Sequence, residues 1–177
     1  TDRATFVAAT GPVTTITFNG LAPEGGYADI NGQTYSGVTF TGEYDALLAI
    51  SPSYAPTYYD WDSGDVAVGY YYGAHIYATL PANHFAVGAD FMLAAWEEGA
   101  TTGNMFAEIT FADDTTFSIE PVSLTQPQRA FIGFISDKEI KMISFHTPDT
   151  TDSWFPLPII DNVSIVPEPS TLGLVLS

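Results

Sequence analysis

Ala130-Phe131-Ile132-Gly133-Phe134-Ile135-Ser136-Asp137-Lys138-Glu139-Ile140-Lys141-Met142-Ile143-Ser144-Phe145-His146 is the stretch on which the fold turns. It holds two short runs of β-branched and aromatic residues, Ala130 to Ile135 and Ile140 to His146, parted by a polar break with no helical period across it. Short apolar runs bounded by Gly, Pro, Asn or Asp read as strands.

The same texture continues in both directions. Upstream, it predicts strands at Val13 to Phe18, Tyr35 to Phe40, Ala46 to Ile50, Asp65 to Tyr72 and His75 to Leu80. Further strands are expected at Ala86 to Trp96, Met105 to Phe111, Thr115 to Ile119 and, beyond the opening stretch, Ile159 to Val166. Strands at this spacing, with no long helix between them, imply a β-sandwich or barrel. One short N-terminal helix is expected, capped by Thr1, running through Asp2, Arg3, Phe6 and Ala9, and ended by Gly11 and Pro12. Asp113-Asp114 is placed as a hairpin turn, and Tyr72-Gly73-Ala74 as a second turn between two Tyr-rich strands. With no internal repeat or linker before Pro167, residues 1–166 are expected to form one unit.

Composition narrows the partners. The 177 residues carry 4 Lys+Arg against 21 Asp+Glu, a formal net charge of -17. Such a field disfavours nucleic acid and anionic membrane surfaces. The absence of cysteine excludes disulfides, thiolate-bound zinc and thiol catalysis. A chain of this length buries about 70% of its unfolded surface and does not need disulfides to fold outside the cell.

The C-terminal run Val166-Pro167-Glu168-Pro169-Ser170-Thr171-Leu172-Gly173-Leu174-Val175-Leu176-Ser177 resembles the PEP-CTERM sorting signal of didermic bacteria. There, a Pro-Glu-Pro motif precedes a membrane helix and an Arg-rich end read by an exosortase. The resemblance implies an exported protein, with Pro167, Glu168 and Pro169 as the sorting motif and residues 167–177 as the start of an extended C-terminal tail. The apolar run Leu172 to Leu176 is far short of the ~20 residues that span a bilayer, and no basic cluster follows it. No charged-then-apolar leader opens the sequence, so it is expected to begin at or near a mature N-terminus.

A second resemblance lies within the domain. The opening stretch, with Ile160-Asp161-Asn162-Val163-Ser164-Ile165, is similar to the closing strands of jelly-roll domains found in PEP-CTERM proteins and in carbohydrate-binding modules. The start, Asp2-Arg3-Ala4-Thr5-Phe6-Val7-Ala8-Ala9-Thr10-Gly11 with Thr15 to Phe18 and Gly37 to Phe40, is similar to the same exported group. This implies an all-β, single antiparallel β-sandwich of jelly-roll type. It also implies a structural calcium at Asp161, whose partner in those domains is an acid near the first strand. Here Asn19 stands in that region, with Glu24 slightly later. The alternative for Asp161 is a strand-end carboxylate that bonds backbone amides.

Two further groups are candidates on their residue types. Asp60-Trp61-Asp62-Ser63-Gly64-Asp65 places alternate carboxylates, Asp60, Asp62 and Asp65, where they can converge on one cation, although the run lacks the longer ligand series of an EF-hand loop. Its alternative is an exposed turn. The second group is aromatic: Tyr54, Tyr58, Tyr59, Trp61, Tyr70, Tyr71, Tyr72 and Tyr77 crowd the middle of the chain. Exposed rings stack on sugar faces and also anchor subunit contacts, and ordinary packing accounts for such residues as well. Tyr58, Tyr59, Trp61, Tyr70, Tyr71 and Tyr72 are therefore candidate ligand or subunit contacts.

Enzymatic signals are weak. His75, His84 and His146 are scattered, no Gly-x-Ser-x-Gly elbow occurs, and the acid pairs Glu97-Glu98 and Asp113-Asp114 read as loop acids, not as a glycosidase pair. The expected role is a non-enzymatic, exported structural or adhesive protein of the cell surface or matrix, self-assembling as a homopolymer in a fibre or layer. The alternative is a monomeric, calcium-assisted module for extracellular polysaccharide, and a glycan-active enzyme is more remote.

Overall fold

Two antiparallel sheets face each other across a single apolar interior, and the chain passes between them repeatedly. The structure, a computed structural model, describes residues 2–54, 64–69, 75–95, 99–100, 102–124, 129–147 and 156–167. Helix α1 (Arg3–Thr10) comes first. It is followed by β1 (Thr14–Ile16), β2 (Tyr27–Asp29), β3 (Gln33–Tyr35), β4 (Val38–Gly42), β5 (Leu47–Ile50) and β6 (Val66–Gly69). Then come β7 (His75–Thr79), β8 (His84–Ala95), β9 (Gly99–Ala100), β10 (Gly103–Phe111) and β11 (Thr116–Leu124). The last strands are β12 (Ala130–Ile135), β13 (Ile140–His146) and β14 (Leu157–Pro167).

The first sheet runs β12-β8-β14-β6-β5-β2, with β1 also on β14 and β9 on β8; the second runs β11-β10-β13-β7-β4-β3. Together they form a β-sandwich of jelly-roll type with one short helix, the architecture expected from the sequence. Alternation sets the core. On β10, Met105, Ala107 and Ile109 point inward and are buried, and on β8 Val87, Ala89, Phe91 and Leu93 do the same. They meet Phe18, Phe40, Ile76 and Phe145 in one cluster. Each of the larger of these side chains, from Val to Phe, contributes about 1.5–3 kcal/mol on burial.

Several local expectations are corrected. Tyr35 to Phe40 is not one strand but the β3–β4 hairpin, because Ser36 (φ 49) and Gly37 (φ 85) both adopt positive φ, as a two-residue hairpin turn requires. β6 and β7 do not pair, since β6 lies in the first sheet and β7 in the second; the Tyr72-Gly73-Ala74 turn signal itself lies outside the described residues. Asp2, not Thr1, caps α1, accepting from the Thr5 backbone N–H at 2.9 Å. The Asp113-Asp114 turn links β10 and β11 as expected.

Helix α1 lies on the outer side of the first sheet, where Gly88 and Gly133 stand opposite each other on β8 and β12. A Cβ on Gly133 would sit 2.7 Å from both the Phe6 and Phe131 rings, and one on Gly88 would sit 2.5 Å from Phe131. This side-chain-free notch admits both rings, which pack edge to face at 5.5 Å. At the far margin of the second sheet, β11 is an edge strand. Its register slips against β10 between Ile119 and Val122, where Glu120 and Pro121 lie. Pro167 is the last residue of β14, opposite His84; Glu168, Pro169 and the rest of the tail lie outside the described residues, as do Glu97 and Glu98.

Candidate functional site

The outward side of the second sheet carries a row of rings. On β7, Ile76 and Ala78 point into the core, which turns His75 and Tyr77 outward. On β13 and β10, the inward Phe145 and Ala107 likewise turn out His146 and Phe106. The register then assembles them, since His146 is opposite His75 on one side and Phe106 on the other. His75 and His146 stack at 4.2 Å and 14°. Phe106 lies 5.5 Å from His146 and Tyr77 lies 5.6 Å from His75, each ring within 15° of parallel to its neighbour.

Glu43, in a 3-10 turn after β4, reaches this row. Its Oε2 accepts from the His75 backbone N–H at 3.3 Å and lies 3.9 Å from His75 Nε2. Hydroxyls and amides flank the rings: Thr34 and Thr39 are hydrogen-bonded at 2.8 Å, Ser118 donates to Glu108 at 3.3 Å, and Ser123 donates to Asn104 at 2.7 Å. Thr41 faces Tyr77 across β4 and β7. Because the rings stack on one another, this half-buried strip presents ring edges among hydroxyl, amide and carboxylate groups, a mixed apolar and polar surface that suits a hydroxyl-rich ligand. Sequence reading treated the histidines as scattered, and the structure corrects this for two of them. The alternation of β7 and β13 was a usable signal, but their pairing was not written locally.

The candidate metal residues are placed as follows. Asp161 is fully buried on β14, directly opposite Asp90 on β8. Asp90 is engaged by Arg3 at 2.7 Å and by the Asn162 amide at 2.9 Å. Arg3 also lies over the Phe131 ring at 4.3 Å, which ties α1 to the same outer surface. Asp65 is buried and accepts from the Ala22 backbone N–H at 2.8 Å. The Asn19 side chain packs against Gly64, and Glu24 is exposed in the turn after it. Among the described residues, no three acidic or histidine side chains converge on one point as a metal cage would need. Asp60 and Asp62 lie outside the described residues, as do Tyr58, Tyr59, Trp61, Tyr70, Tyr71 and Tyr72.

Asp113 and Asp114 are loop acids, as their turn position predicts. Asp114 pairs with Lys141, and Asp113 with Lys138 at 3.1 Å. Hydrogen bonds from the Thr115 hydroxyl and N–H, followed by the Lys138 ammonium, hold the Asp113 carboxyl down at about 2. Tyr54, another member of the aromatic group, meets a residue that the sequence did not single out: its ring packs edge to face against Tyr27 at 5.5 Å.

No protein-family model matches the sequence, and no curated protein matches it. Similar folds occur among solved structures. The K1 cleaved adhesin domain of Lys-gingipain from Porphyromonas gingivalis W83 superposes with a TM-score of 0.53 at 12% identity, covering 90% of this chain and 100% of that domain. The K2 cleaved adhesin domain of Lys-gingipain gives 0.52 at 12% identity over 88% of this chain and 99% of that one. A family 29 carbohydrate-binding module gives 0.48 at 11% identity over 86% of each chain. At these identities the likeness is one of fold: the chain shares the sandwich of the two adhesin domains.

Proposed function

We propose that this protein is a non-catalytic adhesive module that binds polysaccharide on the outward face of its second sheet. The observation that carries the reading is the row Tyr77, His75, His146 and Phe106, four near-parallel rings from three strands on one solvent-facing surface. Its hydroxyl and amide border supports a saccharide over a purely apolar partner. The fold shared with the two Lys-gingipain adhesin domains agrees with an adhesive role. Because the chain carries a net charge of -17, the reading favours neutral glycans.

Two further elements belong to the proposal. Export and exosortase-type sorting rest on the Pro167-Glu168-Pro169 motif, with residues 1–166 as the functional domain and 167–177 as the start of the sorting tail. No described helix is long and apolar enough to cross a membrane. Calcium at Asp161 rests on a buried carboxylate that faces a second one, Asp90, across the sheet.

The test is affinity electrophoresis through gels containing galactomannan, xyloglucan or β-1,4-galactan. Retardation of the wild type and its loss in Phe106→Ala would support the site. Unaltered mobility in all three gels would sink it. Self-assembly into a fibre or layer is the second reading, favoured by Phe117 and Ile135, which are exposed on the edge strands β11 and β12. Electron microscopy of secreted material separates the two, since filaments or sheets would establish a structural subunit.

A further inference from the structure

Tyr27 and Tyr54 are large aromatic residues left 53% and 42% exposed, yet their relative position is fixed. Tyr27 lies on the edge strand β2, opposite Ile50 of β5. Tyr54 is held by a turn in which its N–H donates to the Ser51 carbonyl at 2.9 Å. The Ser51 and Ser53 hydroxyls are bonded to each other at 3.0 Å, and Ser53 Oγ accepts from the Gly25 N–H at 2.9 Å. Ser51 N–H donates to the Gly26 carbonyl at 3.0 Å, so the turn that bears Tyr54 is stitched to the segment that leads into Tyr27. The rings meet at 5.5 Å and 79°. An exposed pair built this firmly is a preorganised surface, and rigid aromatic surfaces bind at low entropic cost.

Its direction gives the inference. Ala49 belongs to the interior, so Ile50 and the facing Tyr27 point away from it, to the outer side of the first sheet. The His75–His146 row is on the outer side of the second sheet. Packed sheets lie ~10 Å apart, and the two aromatic surfaces are on opposite sides of that double layer.

We propose that Tyr27 and Tyr54 form a second saccharide surface, for a ring of a neutral polysaccharide, and that each molecule thereby cross-links two polymer chains. The inference rests on the sheet reading given above. Neutral polymer is specified by charge: Asp29 shares the face of Tyr27, and Glu24 is exposed in the adjacent turn. Carboxylates accept hydroxyl donors and repel uronate or sulfate groups. Because the surfaces face opposite ways, engagement of both by one stretch of chain would require it to wrap around the edge, whereas two separate chains need no such bend.

The experiment uses the full chain and beads coated with galactomannan, xyloglucan or β-1,4-galactan, after sedimentation has fixed the oligomeric state. A monomeric wild type should agglutinate the beads of at least one polymer. Tyr27→Ala/Tyr54→Ala should still be retarded by that polymer in a gel but should not agglutinate, with bead avidity lower by roughly 10²-fold. Tyr27→Phe/Tyr54→Phe, which keeps the rings, should agglutinate. Agglutination by the alanine variant, or binding without agglutination by the wild type, would overturn the cross-link while leaving the sheet site intact. Agglutination that tracks self-association of the protein would also overturn it. Binding to none of the three polymers would remove the sheet reading, and this inference with it.

Discussion

His75 and His146 occupy directly opposed positions on β7 and β13, and their rings stack at 4.2 Å in the middle of a four-ring row. Pairs of Phe, Tyr or Trp rings are worth about 0.5–1.5 kcal/mol beyond their burial, and the stacked imidazoles are expected to reach the same range. A double-mutant cycle over His75→Ala and His146→Ala, read by chemical denaturation, should return a coupling energy in that range. Additive single effects would mean that the two rings do not support each other.

Phe106 ends the row, so its loss should affect ligand more than fold. Phe106→Ala should weaken polysaccharide binding about tenfold, ~1.4 kcal/mol, in affinity electrophoresis. Truncation after Pro167 should leave the same binding unchanged, because the row lies wholly within β7, β10 and β13.

The notch at Gly88 and Gly133 predicts a helix that depends on two missing side chains. Gly88→Ala drives a methyl group toward Phe131 and should cost about 1–3 kcal/mol. Phe6→Ala removes a fully buried ring and should cost about 3 kcal/mol or more if α1 stays in place. A smaller loss, with faster amide exchange confined to residues 3–10, would show the helix detaching instead. Arg3, partly exposed beside Asp90, should contribute no more than about 1 kcal/mol.

Asp113 supplies a test by pH. Its carboxyl is held at about 2 in the folded chain against an ordinary 3.8, so the folded state binds this proton less readily than the unfolded state does. Its contribution is complete above about pH 4 and disappears as the pH falls toward 2. Asp113→Asn should therefore denature at lower urea than the wild type at neutral pH, and the two curves should converge near pH 2. A gap that persists at pH 2 would contradict the ionic and hydrogen-bonded account.

Calcium provides the last test. If Asp161 holds the ion, millimolar calcium should raise the wild-type Tm and EDTA should lower it, whereas Asp161→Asn should respond to neither. Equal responses from both proteins would move the ion elsewhere, and no response from the wild type would remove it.

The strands that carry the core were legible in the residues. Met105 to Phe111 alternates cleanly because one side of β10 is interior and the other is water, whereas β12 and β13 are legible as short apolar runs with consecutive buried residues, Ile132-Gly133 and Ile143 to Phe145. Tyr27–Asp29 was missed because three residues on an edge leave no period to detect. The β3–β4 hairpin was read as one strand because Ser36-Gly37 is a quiet turn signal between similar residues. Above all, the meeting of His75 with His146 depends on the register of strands some 70 residues apart, which no local pattern encodes. The Tyr27–Tyr54 contact has the same origin, since the hydroxyl network that fixes it joins two separate turns.

The slipped register around Glu120 and Pro121 bears on self-association at the β11 margin. Proline offers no amide hydrogen, and the bulge beside it bends the outermost strand out of line. A foreign strand trying to zip along β11 would lose its pairing midway, so growth of an amyloid-like stack from this margin should stall. Concentrated protein should therefore stay free of strand-to-strand adhesion between copies at this margin.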